Sequence, residues 1–293
     1  MSRILIAGCG YVGAATADLF QQQGWEVEGW TASPESAAEL SGKPFQIRAV
    51  DITDYAAVKD AAVKPFDAVI QSASSRGGGA DAYRQVYLAG SRNLLAAFPR
   101  VPLLFTSSTS VYAQSSGEWV TESSPAEPER ETGRILREAE ELVLAAGGTV
   151  ARLAGIYGPG RSALLRKFLA GDAVLDAGGP RVINQAHRDD IAAALFLLVQ
   201  PALAGSGNSA ERPIYNVADS HPITDRDCYE WLAAHLRRPM PPTVDAPAPR
   251  KRGDSSKRVS SEKLQACGWT PRYPTFAAAM RDSILPNLEC LGA

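Results

Sequence analysis

The hydrophobic and polar positions of this chain switch repeatedly between two patterns. Short apolar runs, beginning with Ile4, Leu5 and Ile6, are typical of strands that are buried on both faces, and longer stretches of helical composition lie between them. Because strands and helices alternate, the pattern predicts an α/β fold with a doubly wound parallel sheet covered by helices on both faces. The predicted strands are residues 4–6, 26–30, 46–50, 68–71, 103–106 and 149–153, and the predicted helices between them are residues 54–63, 81–98 and 129–146.

Three glycines directly follow the first predicted strand. Gly8, Gly10 and Gly13 have the spacing G-x-G-x-x-G, with Tyr11 and Val12 between them, and a helical pattern follows. In a strand–turn–helix unit this is the dinucleotide-binding (Rossmann) fingerprint: the first glycine permits a tight turn, the second lets the backbone approach a pyrophosphate, and the third lets helix and strand pack closely. The helix N-terminus then faces the phosphates. We therefore expect a cofactor site made by these five residues; the alternative is a structural glycine turn.

The end of the second predicted strand bears on which cofactor is expected. A site that prefers NAD usually places an acidic residue there to hold the ribose 2′-hydroxyl, but this chain has Thr-Ala-Ser-Pro at 31–34. The hydroxyl groups of Thr31 and Ser33 can accommodate a 2′-phosphate, so the sequence favours NADP over NAD. The alternative is that both side chains cap the helix that Pro34 begins. After the fourth predicted strand, Ser72 and Ala73 are expected to line the ribose of the cofactor.

After about residue 155 the alternation becomes less regular. Residues 239–256 are rich in proline and then basic, which is typical of a mobile surface loop. We expect a dinucleotide-binding Rossmann domain in residues 1–155, and a small C-terminal substrate or lid region in residues 156–293 that is interleaved with the Rossmann core. In the second region, helical patterns cover residues 163–170, 189–199, 224–237, 260–267 and 275–285, and a strand pattern covers residues 213–217.

Composition and charge narrow the function classes. The chain has 293 residues, of which 45% are hydrophobic and 21% charged, and a formal net charge of −2. This is an ordinary globular composition, and neither nucleic acid nor a membrane is expected as a partner; we interpret the basic run at 250–252 as a solvated face. The four cysteines (Cys9, Cys228, Cys267, Cys290) lack C-x-x-C or metal-ligand spacing, so no metal site is expected. We recognise neither a leader nor an apolar run of about 20 residues, which predicts a cytoplasmic protein.

Five further motifs follow one another along the chain. They are F-T-S-S-T-S-V-Y at 105–112, R-L-A-G-I-Y-G-P-G at 152–160, H-R-D-D at 187–190, Y-N-V-A-D at 215–219 and K-R-V-S-S-E-K-L-Q-A-C-G-W at 257–269. In this order they resemble the motifs of the extended short-chain dehydrogenase/reductases, the group of nucleotide-sugar epimerases and dehydratases, over nearly the whole length. The resemblance implies a Rossmann fold, NAD or NADP as cofactor, and a small-molecule substrate such as a nucleotide sugar. It also implies a homodimer formed through the predicted helices 81–98 and 129–146.

The resemblance implies further contacts. Asp51 and Ile52, after the third predicted strand, match the family's adenine contact, and Tyr157 of the R-x-x-x-x-Y-G-P-G motif is a candidate substrate contact. Arg76 lies in a glycine-rich loop and is a second candidate, for a substrate anion; the alternative is a solvated arginine. The glycine fingerprint departs from the family's G-x-x-G-x-x-G, because Ala7 stands at the first position.

The acid–base pair of the family is missing. In the family a Tyr and a Lys four residues later share one helix face, where the ammonium group lowers the pKa of the tyrosine. Aligning Pro128 and Gly133 with the family's P-x-x-x-Y-G-R-S-K puts Thr132 at the tyrosine position and Leu136 at the lysine position. Thr132 is therefore a catalytic candidate by position only, because a threonine hydroxyl barely ionises in water.

Ser108 and Tyr87 also stand at positions where the resemblance to the family suggests a role. Ser108 aligns with the family's catalytic serine and can hydrogen-bond a substrate carbonyl or hydroxyl; the alternative is that its hydroxyl caps local backbone. Tyr87 stands where the family often has Asn, and we interpret it as core packing.

These observations leave two hypotheses for the function. The first is an atypical NAD(P)-binding protein that resembles nucleotide-sugar epimerases, dehydratases and reductases. Hydride transfer depends mainly on the cofactor, so an enzyme of this kind can work without the pair. The loss of acid–base catalysis lowers the rate by about 10²–10⁴-fold. The second is a non-catalytic NAD(P) sensor or binding module. The intact glycine motif without the Tyr–Lys pair favours the sensor, and the retained motifs at 152–160 and 187–190 favour an enzyme of the oxidoreductase or epimerase type.

Overall fold

A seven-stranded parallel sheet lies in a computed structural model that describes residues 1–204, 213–219, 221–245 and 256–291. The basic run at 250–252 lies outside the described residues. The strand order is β12-β7-β5-β4-β1-β2-β3, so the chain winds outward in both directions from β1 and confirms the predicted doubly wound fold. In chain order the strands are β1 (Arg3–Ala7), β2 (Glu26–Thr31), β3 (Gln46–Ala49), β4 (Ala68–Gln71), β5 (Leu103–Ser108), β6 (Trp119–Val120), β7 (Thr149–Leu153), β8 (Gly155–Tyr157), β9 (Leu175–Asp176), β10 (Val182–Ile183), β11 (Gln185–His187), β12 (Ile214–Val217), β13 (Ile223–Thr224), β14 (Thr243–Val244) and β15 (Arg258–Val259).

The helices follow the predicted positions; most are shorter than predicted, the helix Ala163–Ala170 has the predicted bounds, and the helix Arg188–Ala204 is longer. Within the described ranges, the eight strands outside the large sheet form four two-stranded pairs. The sequence pattern did not predict them, because two or three residues carry no readable periodicity. The α-helices are α1 (Tyr11–Gln22), α2 (Pro34–Ala38), α3 (Tyr55–Ala61), α4 (Ala80–Tyr83), α5 (Gly90–Ala97), α6 (Glu131–Ala145), α7 (Ala163–Ala170), α8 (Arg188–Ala204), α9 (Asp225–Leu236), α10 (Glu262–Ala266) and α11 (Phe276–Ala279), with π-helical turns at Arg84–Ala89 and Met280–Ile284 and 3₁₀ turns at Thr109–Val111 and Leu285–Leu291.

The helix predicted for residues 81–98 is interrupted by a π-helical turn. The side chain of Gln71, at the end of β4, donates from Nε2 to the carbonyl of Val86 at 3.0 Å. Ser91 donates to Gln71 Oε1 at 2.6 Å and is also within 2.5 Å of the Tyr87 carbonyl. A side chain that inserts into the backbone ladder of a helix distorts it locally. The interruption therefore comes from a residue of another element.

One buried carboxylate joins three adjacent strands of the sheet. Glu28 of β2 is almost completely buried, and it pairs with Arg3 of β1 at 2.9 Å and with Arg48 of β3 at 3.2 Å. It also accepts a hydrogen bond from Trp30 Nε1 at 2.8 Å. Since a buried charge is tolerated only when it is paired and hydrogen-bonded, these partners hold β1, β2 and β3 in register.

A second buried carboxylate fixes helix α6 to the sheet. Glu140 accepts hydrogen bonds from Ser107 Oγ of β5 at 2.6 Å and from Arg152 Nε and Nη2 of β7 at 3.0 and 2.7 Å. Arg137 of the same helix also pairs with it. The orientation of α6 is therefore set by a bidentate arginine and a hydroxyl from two different strands.

The chain forms two compact units, each built from three stretches of sequence. The first unit contains strands β1 to β5, and the second has its own apolar core, in which Leu165 and Phe168 of α7 pack with Leu232 of α9 and Phe276 of α11. The first unit comprises Met1–Val111, Ala126–Arg152 and Ile191–Tyr215, and the second comprises Tyr112–Pro125, Leu153–Asp190 and Asn216–Ala293.

Replacing Glu140 by alanine should destabilise the protein by about 3–5 kcal/mol, because the buried guanidinium of Arg152 loses the carboxylate that neutralises it. Urea unfolding followed by circular dichroism measures the change. The matched control is Glu138→Ala, an exposed position on the same helix, for which a change within about 0.5 kcal/mol is expected. Equal effects of the two substitutions would contradict the role of the buried pair.

Candidate functional site

The glycine loop between β1 and α1 is shaped by contacts with β4 on one side and is open on the other. A Cβ added to Gly8, which has φ +99°, would lie 2.1 Å from the backbone nitrogen of Ala73, and one added to Gly13 would lie 2.3 Å from the carbonyl oxygen of Gly8. Gly10 differs, because a Cβ there would have no atom within 4 Å. Packing therefore requires glycine at positions 8 and 13, whereas position 10 presents bare backbone to its surroundings.

The start of helix α1 has the properties of an anion site. The helix begins at Tyr11 and is 12 residues long, its N-cap is Gly10, and no side chain caps its first turn. The first amides of any helix lack an acceptor inside the helix, and they carry the positive end of the helix dipole. The amides of Tyr11, Val12 and Gly13 thus belong to a helix end suited to a phosphate group.

Cys9, between the first two glycines, has a structural role. Its side chain is 1% exposed, and its Sγ lies 2.7 Å from where a Cβ on Gly29 of β2 would be. The backbone nitrogen of Cys9 donates to the carbonyl of Trp30 at 2.7 Å. Burial raises the pKa of the Cys9 thiol to about 12, so the thiolate that nucleophilic chemistry needs is disfavoured.

The predicted cofactor residues after β3 and β4 lie at the same edge of the sheet as the glycine loop, because β1, β2, β3 and β4 are parallel. Ser72 donates from its hydroxyl to the Gly8 carbonyl at 2.9 Å and from its amide to the Ala7 carbonyl at 2.8 Å. Asp51 and Ile52 follow β3, with Ile52 buried and Asp51 half-buried. The structure therefore brings these predicted residues to one edge, and their contact with a cofactor stays a prediction.

Ser33 caps helix α2, as the alternative predicts, whereas Thr31 hydrogen-bonds to a backbone carbonyl before the helix and does not cap it. The Thr31 hydroxyl donates to the carbonyl of Ser33 at 3.2 Å. Ser33 is the N-cap of α2, and its Oγ accepts from the amide of Ser36 at 3.3 Å. The proton of Thr31 is therefore committed to the backbone, whereas the hydroxyl group of Ser33 lies at the start of the helix.

Arg76 lies at the start of α2, although the sequence assigned it to a substrate anion. It is exposed and has φ +53°, a left-handed backbone conformation that residues other than Gly and Asn seldom adopt. Its Nη2 donates to Ser36 Oγ at 3.4 Å. This position, beside the end of β2, could not be read from the sequence because 40 residues separate the two side chains.

The two catalytic candidates lie in the first unit. Ser108 ends β5, and its Oγ accepts from the Ser110 amide at 3.1 Å. Thr132 is half-buried in the first turn of α6, which packs against the turn Thr109–Val111; its hydroxyl makes no hydrogen bond within the described part of the chain. Leu136 is 3% exposed. Leu136 is thus a core side chain, and its match to the lysine position of the family stays a prediction.

Tyr87 packs its ring against the buried Phe105 of β5 and also contacts the loop after β4 through its hydroxyl. The residue is half-buried in the π-helical turn, and its hydroxyl accepts from the Ser75 amide, in the loop after β4, at 3.4 Å. Its ring contacts Tyr83 with centroids 4.9 Å apart. The substitution of the family's Asn by tyrosine was the signal available in the sequence.

In the second unit, Tyr157 is enclosed by other side chains. It is 2% exposed, and its hydroxyl has no hydrogen-bond partner among the residues that the structure describes. Burial raises its pKa. Its ring lies edge-on to His187 at 5.7 Å, and His187 Nε2 is 3.0 Å from Ser283 Oγ. A substrate contact by Tyr157 stays a prediction.

Two carboxyl groups are buried in the second unit. Asp190 accepts from the amides of Arg272 and Tyr273 at 2.6 and 3.1 Å, and burial raises its pKa to about 6. Asp219 accepts from the amide of His221 at 3.3 Å through Oδ1, and its Oδ2 has no partner in the described ranges. Burial raises the pKa of Asp219 to about 8, so near neutral pH this group is substantially protonated.

Within the described ranges, no three or more His, Cys, Asp or Glu side chains are grouped so that they could hold a metal ion. None of the helices in those ranges combines the length and the hydropathy that crossing a bilayer requires.

Comparison with known proteins relates this site to a family. A family model described as the NAD dependent epimerase/dehydratase family matches residues 4–218. Protein YeeZ of Escherichia coli (strain K12) is 34% identical, with 94% of this chain and 97% of YeeZ covered.

Solved structures give the same relation. A protein of Methylobacillus flagellatus, provisionally assigned as an NAD-dependent epimerase/dehydratase, is 29% identical with a TM-score of 0.78, and the match covers 98% of this chain and 99% of that one. A UDP-glucose 4-epimerase of Thermus thermophilus, in complex with NAD, is 23% identical with a TM-score of 0.79, and the match covers 98% and 99% of the two chains. The second likeness is one of fold.

The buried carboxyl of Asp219 predicts a pH-dependent stability. The folded protein holds a proton that the unfolded chain releases near pH ~4. The free energy of unfolding should therefore fall as pH rises from about 5 to about 8, by up to about 1 kcal/mol per pH unit from this group. Above about pH 8 it should level off. Asp219→Asn should flatten the curve, as measured by urea unfolding at several pH values. The exposed control Asp172→Asn should leave the slope unchanged. An identical slope in wild type and Asp219→Asn would contradict the assignment.

Proposed function

The chain belongs to the NAD dependent epimerase/dehydratase family. From this premise we propose that it binds a nicotinamide dinucleotide at the glycine loop 8–13. In this proposal it acts on a small molecule of the nucleotide-sugar type without a Tyr–Lys proton relay. The observation that carries the proposal is the open face of Gly10 beside the uncapped start of α1. A pyrophosphate needs both a backbone that it can approach and amide donors. This loop has both.

NADP is the cofactor that the proposal favours. The end of β2 has no carboxylate at positions 31 or 32, and hydroxyl groups stand at Thr31 and Ser33. An acidic residue at this point usually holds the 2′-hydroxyl of NAD. The cytoplasmic location and the homodimer through the helices of residues 81–98 and 129–146 stay predictions.

The residues of the chain have separate tasks in this proposal. The bound dinucleotide would supply hydride transfer. Ser108 accepts a hydrogen bond from the Ser110 amide, so its own proton can be donated to a substrate oxygen. Thr132 and Leu136 supply neither an ionisable hydroxyl nor a cation, and we expect turnover to be slower by the ~10²–10⁴-fold that acid–base catalysis typically contributes.

A non-catalytic NAD(P) sensor is the second candidate. The observation that favours it is the burial of Leu136, because a core side chain at this position supports the packing of α6 rather than chemistry. Arg137, one residue further, is engaged by Glu140 and Glu141, so it does not replace the missing cation. The two candidates share the dinucleotide site and differ in turnover.

Substituting Gly10 by alanine tests the dinucleotide site. The added methyl group meets no protein atom within 4 Å, so the free energy of unfolding should change by less than about 1 kcal/mol. The affinity for NADPH and NADH should fall at least about tenfold, because the methyl group occupies the space through which the pyrophosphate approaches the backbone. Fluorescence titration measures the affinity. The control Gly42→Ala also has open space around it and should bind normally. Absence of binding to both nucleotides by the wild type would overturn the proposal.

Restoring the pair separates the enzyme from the sensor. If the substrate pocket is intact, Thr132→Tyr combined with Leu136→Lys should raise the turnover of nucleotide-sugar and carbonyl substrates by about 10²-fold. Thr132→Phe with Leu136→Lys, which lacks the hydroxyl, is the control, and urea unfolding monitors the cost of a lysine in a buried position. A folded double variant that binds cofactor and turns over nothing would support the sensor.

A further inference from the structure

Arg76 extends from the loop after β4 towards the loop after β2. The sheet order places β1 between β4 and β2, and both loops leave the same edge because the three strands are parallel. Ala73, three residues before Arg76, packs against Gly8. The guanidinium group of Arg76 reaches Ser36 Oγ, with a separation of 3.4 Å from Nη2. The cation that the sequence lacks after β2 is thus delivered by a different loop.

Arg76 contacts Ser36, and Ser36 contacts Ser33, at long donor–acceptor distances. Ser33 Oγ lies 3.4 Å from Ser36 Oγ, and the guanidinium of Arg76 pairs with no carboxylate within the described ranges. Separations of 3.4 Å are at the weak end of hydrogen bonding. A doubly charged anion with several oxygen acceptors would satisfy an arginine and two hydroxyl groups much better than they satisfy one another.

The position of these three side chains relative to the glycine loop identifies the anion. In a Rossmann site the pyrophosphate lies at the first βα turn, and the adenosine ribose is read at the end of the second strand. Ser33 and Ser36 begin α2, directly after β2. An anion at this point, on a dinucleotide that occupies the glycine loop, corresponds to a phosphate on the ribose 2′ position.

We propose that Arg76, with the hydroxyl groups of Ser33 and Ser36, binds the 2′-phosphate of NADP(H) and sets the cofactor preference of the site. This inference rests on the proposed dinucleotide binding. It also reassigns two sequence predictions: Arg76 reads the cofactor instead of a substrate anion, and Thr31 gives no hydrogen bond to the phosphate, because its hydroxyl proton is held by the Ser33 carbonyl.

Glu35 supplies the competing arrangement. It is an exposed carboxylate in the first turn of α2, and hydrogen bonds to its own amide and to the Ser33 hydroxyl lower its pKa. An ionised Glu35 repels a 2′-phosphate and can accept a hydrogen bond from the 2′-hydroxyl of NAD. The preference of the site therefore depends on the balance between Arg76 and Glu35, and both can be changed separately.

Fluorescence titrations with NADPH and NADH test the inference. The wild type should bind NADPH more tightly than NADH. Arg76→Gln should lower the affinity for NADPH by about 10–100-fold, as expected for loss of hydrogen bonds to a charged group. The affinity for NADH should change by less than about twofold. Arg76→Lys should lower the affinity for NADPH less than Arg76→Gln does, and Glu35→Gln should raise the affinity for NADPH. Competition by 2′-AMP should exceed that by 5′-AMP in the wild type only. The control is Arg92→Gln, an exposed arginine of α5.

The outcomes separate this inference from the proposal on which it rests. If the wild type binds neither nucleotide, both are overturned. Equal binding of NADPH and NADH that Arg76→Gln leaves unchanged would retain the dinucleotide site and overturn the inference. Tighter binding of NADH, weakened by Glu35→Gln, would also overturn it and would assign the 2′-hydroxyl to Glu35.

Discussion

The close approach of the glycine loop to the end of β4 is the constraint on which the site depends. Gly8 leaves no room for a Cβ against the backbone of Ala73, and the hydroxyl of Ser72 is bound to the Gly8 carbonyl. On the other side, the amides of Gly8 and Cys9 share the carbonyl of Trp30. The loop is therefore held between β4 and β2, and its face at Gly10 is open.

The buried carboxylates extend this rigidity to the rest of the first unit. Glu28 ties the first three strands of the chain together, and Glu140 ties α6 to β5 and β7. Each buried charge is satisfied by several partners, as the cost of burial demands. The same network engages Arg137, so the helix that bears Thr132 and Leu136 is firmly positioned, and this arginine is not available as a cation beside them. The fold of the family is thus kept, and the replacement of its Tyr–Lys pair by Thr132 and Leu136 stays a prediction.

The two ends of the proposed dinucleotide site are built differently. The proposed pyrophosphate end uses backbone, which the spacing of three glycines indicates. The proposed adenosine end uses side chains from two loops, Arg76 from one and Ser33 and Ser36 from the other. No arginine directly follows β2, because the arginine belongs to the loop after β4. Tyr87 and the Ser75 amide meet in the same way, across an edge that the topology creates.

The sequence by itself determined the features that depend on neighbouring residues. The strands at residues 68–71 and 149–153 have the predicted bounds, the glycine loop follows β1 as expected, and the doubly wound fold class is confirmed. Hydrophobic periodicity and turn geometry are encoded within about ten residues. The tertiary structure decided the rest: the π-helical turn made by Gln71, the pairing of Glu140 with Arg152, the burial of Cys9, and the meeting of Arg76 with Ser36. These contacts join side chains far apart in the chain or depend on which strands become neighbours, and no local pattern records that order.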